Sequence, residues 1–233
     1  MSGVPSDSVA LRQSLVDGCR WMNASGFNHG TSGNLSVRIA SGLLITPSGV
    51  PYDELTADDI VAMDMEGRYE SRHAASSEWA IHRDLYRAKP EAMAVVHAHP
   101  TYCTALAIQG RGIPAVHYMI AFSGGAEIPC CRYETYGTPE LSAAVIEAMR
   151  ERNVCLMAHH GMVAVGPDLR RALWWAAEVE NLAKQYHLAS QFGEPPLLSA
   201  EEIAKVAGKF KSYGIRPKSP PGDTAASNQE VSA

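Results

Sequence analysis

Apolar residues recur at helical spacing at the start of the chain, where Val9, Leu15, Val16, Cys19 and Met22 stand among charged positions, so 9–24 reads as an amphipathic helix ended by Gly26. The texture then shortens. Asn34 to Arg38, Gly42 to Thr46 and Ile60 to Met65 are β-prone runs separated by Gly, Pro, Ser and Asp, which predicts strands joined by turns. Ser76 to Arg87 is expected to be a helix that must end before Pro90. Ala92 to His97, Ile113 to Tyr118 and Val154 to Ala158 read as further strands, with a helix over Pro139 to Arg152 between the last two. Asp168 is a good N-cap for a long helix reaching about Gln191, with Leu169, Ala172, Leu173, Ala176 and Val179 as its apolar stripe. A last helix is expected over Ala200 to Phe210, and Pro217 to Ala233, poor in apolar residues, is expected to be a disordered tail. Helices and strands mixed without strict βαβ alternation predict one domain over 1–216, a three-layer α/β sandwich and not a doubly wound dinucleotide fold.

Composition narrows the function. Hydrophobic residues make up 46% and charged residues 19% of 233 positions, enough for a full core, and the formal charge of -5 argues against nucleic acid or anionic membrane as main partner. No apolar run approaches the roughly 18 residues that a membrane span needs. The acidic and polar start, Met1 to Asp17, is unlike a signal peptide, so a cytoplasmic location is expected. Five cysteines without a C-x-x-C pair predict reduced thiols and no disulfide framework.

The candidate chemistry lies where apolar runs end. In Ala94-Val95-Val96-His97-Ala98-His99, a strand would send His97 and His99 to one side, half of a metal site. A second run closes on Met157-Ala158-His159-His160-Gly161, and parity allows only one of His159 and His160 to join the first two. Glu78, after Ser76-Ser77 at a helix start, is the candidate carboxylate. One histidine in an apolar strand is more often a hydrogen-bonded core residue, and a Glu in a first helical turn commonly serves the helix dipole. Their joint occurrence in a chain with nine histidines favours a metal site. Three histidines and a carboxylate suit a tetrahedral zinc ion whose carboxylate position can open for substrate, and would also hold Mn or Co. Ser76, Ser77, the run Asn28 to Ser36 and Thr46-Pro47-Ser48-Gly49 supply hydroxyl and Gly residues for an anion pocket, and none matches a Walker loop or G-x-G-x-x-G.

Several stretches together resemble the zinc-dependent class II sugar-phosphate aldolases of the aldolase/adducin family: Gly33-Asn34-Leu35-Ser36, Ile45 to Gly49, Ser76-Ser77-Glu78-Trp79, Val95 to His99, Ile113 to Ile120, Gly124-Gly125, Tyr136-Gly137-Thr138 and His159-His160-Gly161. The resemblance runs from about Val9 to Arg216. It implies an α/β/α sandwich around a mixed, largely antiparallel sheet, with His97, His99 and His160 as zinc ligands. Glu78 would reach the metal when substrate is absent and act as acid/base when it is bound. Asn34, Ser48, Gly49, Ser76 and Ser77 would bind phosphate. The family's cyclic homotetramers, with active sites between subunits, would bring Tyr118 and Tyr213 to a neighbour's site. Ser48 stands where Thr is expected but keeps the hydroxyl, and Tyr136 replaces an aromatic without one near the aldehyde end.

The implied reaction is retro-aldol cleavage of a ketose 1-phosphate to dihydroxyacetone phosphate and an aldehyde. Candidate substrates are L-fuculose 1-phosphate, which would release lactaldehyde, and 5-deoxy- or 5-methylthio-pentulose 1-phosphates of salvage metabolism. A lysine Schiff base is not expected, because Lys89, Lys184, Lys205, Lys209, Lys211 and Lys218 fall before a proline, on polar helix faces or in the tail. Sugar-phosphate 4-epimerases, decarboxylases and non-catalytic adducin-like modules of the same family are the alternatives. Glu78, where the epimerases typically carry Asp, and the intact histidines weigh against them.

Overall fold

The computed structural model describes residues 3–210; Tyr213 and the expected tail at 217–233 lie outside them. Helix α1 (Val9–Ala24) leads into strands β1 (Asn34–Ile39), β2 (Gly42–Ile45) and β3 (Val61–Met63), then α2 (Trp79–Ala88), β4 (Ala94–Ala98) and α3 (Thr101–Ile108). Strand β5 (Cys130–Cys131), α4 (Pro139–Ala148), β6 (Val154–Met157), β7 (Gly161–Gly166), α5 (Leu169–Ala189) and α6 (Ala200–Phe210) complete the order. The strands form one sheet in the order β3-β2-β1-β4-β7-β6-β5, antiparallel except for the parallel pair β5–β6.

The central strands are apolar on both faces, as a sheet covered on both sides requires. Even positions of β4 and β7 (Ala94, Val96, Met162, Ala164) join one core with Leu15 of α1, Leu106 of α3, Ala176 of α5 and Ile203 of α6. Odd positions (Val95, Val163, Val165) join a second core with Ile81 and Leu85 of α2 and Val145 of α4. The molecule is thus the expected α/β/α sandwich, and the alternation assigns His97, in step with Val95, to the α2 side of the sheet.

The predicted helix over Ser76 to Arg87 is shorter than expected. Ala75 bridges to Pro47 and the Ser76 N–H donates to Thr46 O at 3.0 Å, so 75–76 run extended beside β2 and helix begins only at Trp79, with Glu78 as N-cap. The predicted strand over Ile113 to Tyr118 is not formed. Ile113 makes one isolated bridge to Ile128, Pro114 removes a ladder donor, and Tyr118–Ser123 is a 3-10 turn. Helix α4 stops at Ala148 instead of Arg152 and α5 at Ala189 instead of Gln191, whereas the Asp168 cap is in place, accepting from Arg171 N–H at 2.7 Å. All five cysteines are unpaired, and no described helix is long and apolar enough to cross a membrane.

Candidate metal centre

Four side chains from three separate segments converge at the edge of the α2 layer. The end of β4 supplies His97 and the residue after it His99, the β6–β7 turn supplies His160, and the N-cap of α2 supplies Glu78; their ligand atoms all lie within 4.8 Å of one another. The three imidazole centroids form a nearly equilateral triangle with sides of 4.8, 4.9 and 4.8 Å, each pair edge to face. His97 Nε2 is 3.0 Å from Glu78 Oε2 and 2.9 Å from His99 Nε2, and His160 Nε2 is 3.3 Å from Glu78 Oε1.

Local structure explains the convergence. His97 Nδ1 donates to Met162 O at 2.9 Å, which turns its Nε2 toward the cluster. Gly161 is required beside His160, since a Cβ there would lie 2.4 Å from Ala98 O and 2.7 Å from His99 Cδ2. His159 and His160 are separated by the turn and not by strand parity: β6 ends at Met157, and His159 adopts a left-handed φ of 54°. The outcome expected from parity holds for a different reason. His159 is not among the four converging residues, and its ring stands edge-on to Tyr133 at 5.8 Å.

The electrostatics suit a cation. Burial raises the Glu78 carboxyl, but the facing His97, the His160 charge and Asn34 outweigh it and hold it well below the usual carboxylate range. Burial lowers His97, while Glu78 and Met162 O more than offset this and raise it. Burial and the charges of His97 and His160 push His99 down to about 3, and burial with His97 pushes His160 down to about 4, so both offer lone pairs at neutral pH. Glu78 Oε1 is buried with no hydrogen bond, its approach to His160 Nε2 lacking the geometry of one. A buried carboxylate oxygen left open among imidazole nitrogens is what a bound divalent cation would satisfy.

The cluster forms one wall of a cavity of about 360 Å³. The other walls carry Thr31, Ser32, Ser48, Ser76 and Ser77, with Tyr133 and Tyr136 at the rim. Glu134 and His159 also line it and no lysine or arginine does so among the described residues, so an anion there would be held by hydroxyls and the N-terminus of α2. Asn34, Ser48, Ser76 and Ser77 reach this cavity as expected; Gly49 and Tyr118 are not among its lining residues, and Tyr213 is outside the described chain. Asn34 donates from Nδ2 to Glu78 Oε2 at 3.1 Å and keeps a second N–H. Thr31 and Ser32 were legible only as part of a hydroxyl-rich run. His82, which holds Asn34 from behind, was not identified from the sequence, and Ser36, which bonds His82, was read only as part of a hydroxyl-rich run and not as its support.

A histidine–carboxylate cluster opening on a hydroxyl-lined cleft at the end of a covered sheet is suited to hold a metal ion, as the site of a metal-using enzyme class would be. Residues 13–187 match the model of the Class II Aldolase and Adducin N-terminal domain, and the chain belongs to this family. It is 48% identical over 207 residues to the L-fuculose phosphate aldolase of Escherichia coli K12, covering 88% of this chain and 96% of that protein. It is 47% identical over 211 residues to the 5-methylthioribulose-1-phosphate/5-deoxyribulose-1-phosphate aldolase of Rhodospirillum rubrum, covering 91% and 96%. Among solved structures, an L-fuculose 1-phosphate aldolase superposes with a TM-score of 0.86 at 39% identity, covering 88% of this chain and 98% of that one.

Proposed function

We infer that this protein is a class II aldolase that cleaves a ketose 1-phosphate to dihydroxyacetone phosphate and an aldehyde. The observation that carries the reading is the open, buried Oε1 of Glu78 among three imidazoles, in a cleft whose remaining donors are neutral. His97, His99, His160 and Glu78 would hold a divalent cation, with zinc the proposed ion. Such an ion supplies a Lewis acid that draws off the negative charge left on C3 when the C3–C4 bond breaks.

The chain's own groups do the rest. Ser48, Ser76 and Ser77, with the second Asn34 N–H and the α2 N-terminus, bind the phosphate and fix C1 to C3 beside the cluster. Glu78, tied at Oε2, takes up at Oε1 the proton given up by the C4 hydroxyl and delivers it to C3, completing dihydroxyacetone phosphate. Tyr118, 49% exposed and absent from its own cavity lining, is assigned to a neighbouring copy's cleft, where its hydroxyl relays the C4 hydroxyl proton toward Glu78, accepting one proton as it gives up its own; Tyr213 is proposed for the same rim. A homotetramer with shared sites accommodates both roles. No lysine lines the cavity among the described residues, and Lys89, buried against Arg150 O, lies apart from it, in keeping with the absence of a Schiff base.

L-fuculose 1-phosphate and 5-methylthioribulose 1-phosphate are the proposed substrates to test in parallel, because relatives named for each are nearly equally similar. Metal-loaded protein is expected to release dihydroxyacetone phosphate from at least one, with kcat/KM ranking the two. Ketose interconversion without release would assign the epimerase reaction instead. Borohydride with substrate should trap no adduct.

A further inference from the structure

Beneath the metal cluster, the α2-facing side of β1 breaks the apolar pattern. Asn34 and Ser36 stand there where alternation calls for core residues, and α2 lays the fully buried His82 across both. His82 Nε2 is 2.5 Å from Asn34 Oδ1, His82 Nδ1 is 2.7 Å from Ser36 Oγ, and Ser36 Oγ is 2.8 Å from the Tyr86 hydroxyl.

Only one sense of these bonds satisfies every group. Burial pushes His82 down to about 3, so its ring is neutral, with one N–H and one lone pair. Asn34 donates from Nδ2 to the Glu78 carboxylate, which leaves its Oδ1 facing His82 Nε2. His82 then donates from Nε2 and accepts at Nδ1 from the Ser36 hydroxyl, which in turn accepts from Tyr86. The reversed amide would set Asn34 Oδ1 against a carboxylate oxygen, leaving two buried acceptors facing each other. The row ends in the core at Tyr86, so it orients and does not conduct.

We propose that His82 is a positioning residue for Glu78: acting through Asn34, with Ser36 and Tyr86 behind it, it pins Oε2 so that Oε1 stays open toward the metal cluster and the substrate. The proposal rests on the aldolase reading for its kinetic readout only. His82 does not line the cavity, and its side-chain hydrogen bonds go to Asn34 and Ser36, so its side chain reaches the Glu78 carboxylate through one amide.

His82→Phe, Asn34→Ala and the double variant test this with cobalt-loaded protein, the visible cobalt spectrum being recorded without substrate beside kcat and KM. His82→Phe is expected to keep wild-type metal content, shift the cobalt band, and lower kcat by about 10- to 100-fold with KM little changed. Because both singles act on the same carboxylate, the double variant should lose no more kcat than the larger single loss. His82→Gln, which restores a donor and an acceptor, should recover most of the rate. Wild-type kcat with an unshifted band in His82→Phe, or single losses that multiply in the double, would overturn the proposal. If His82→Phe fails to fold, Tyr86→Phe removes one hydroxyl at the far end and should shift the cobalt band in the same direction; an unshifted band overturns the proposal equally. A shifted band in a protein that cleaves neither ketose phosphate sinks the aldolase reading while leaving the positioning role supported.

Discussion

The inner and outer walls of the cleft are built on opposite terms. On the inner wall Glu78 and His97 are 5% and 1% exposed, and each is held from behind, by Asn34 and by Met162 O. On the outer wall Tyr133 and Tyr136 are 58% and 67% exposed, and Ser48 and Ser77 also face solvent. A buried cluster held from behind tolerates little change, since each lost partner leaves an unsatisfied charge or dipole. An exposed wall can vary at small cost. On the proposed function, the inner wall would carry the carbon–carbon cleavage and Tyr133 and Tyr136 of the outer wall would face the aldehyde half, in keeping with nearly equal similarity to relatives named for different sugar phosphates.

Breaking the inner wall outright should have the largest effect. His99→Ala is expected to lose metal and, because a Lewis acid is worth several kcal/mol, to lower kcat/KM by roughly 10³-fold or more. Metal analysis of the purified variant and the aldol assay check both halves. Glu78→Gln removes the charge but keeps the shape. It should retain metal yet lose about 10² to 10⁴ in kcat, the usual worth of a positioned proton donor, and full turnover in this variant would reject the role.

Gly161→Ala probes the close approach that seats His99. The added methyl meets Ala98 O and the His99 ring, and overpacking of this kind costs about 1–3 kcal/mol. Thermal unfolding with and without zinc should show both a lower Tm and a smaller rise on adding metal. An unchanged metal increment would mean that the ring is not displaced.

Metal affinity should also fall with acidity. In the metal-free cluster His97 is raised by Glu78, so lowering pH through its pKa adds a proton that the metal must displace, while His99 and His160, near 3 and 4, stay unprotonated. One displaced proton weakens binding about tenfold per pH unit below that point. Zinc titrations across pH 5 to 8 should follow that slope, and a flat profile would show that His97 does not carry the proton. The smallest effect is expected at the outer wall. Tyr136→Phe should alter the kcat/KM ratio between the two proposed substrates by roughly 1–3 kcal/mol at most, with metal content unchanged.

The contrast between walls also explains what could be read from the sequence. The placement of His97 was legible because strand parity is local and needs no knowledge of neighbours. The same rule misled at Ile113 to Tyr118, where β-prone residues form only one bridge because a strand needs a partner and Ile128 alone pairs with it. Helix α3 and strand β7 passed unnoticed: the first is almost uniformly apolar and the second buried at all six positions, so neither shows a period. Glu78 was identified as the carboxylate, but its place as N-cap depends on Ser76 pairing with Thr46, thirty residues earlier. His82, and the part Ser36 plays beside it, were hidden because a polar residue in a core position declares itself only when its partners are known. The phosphate residues were legible as composition, and their meeting in one cavity depends on tertiary structure.

The central claim is that one cation held by Glu78, His97, His99 and His160 is needed for carbon–carbon cleavage. Its most direct test is to strip the protein with a chelator and follow dihydroxyacetone phosphate release while zinc is added back. Release should vanish in the stripped protein and return in proportion to added zinc, levelling at one ion per chain. Cleavage that persists undiminished without metal would contradict the claim.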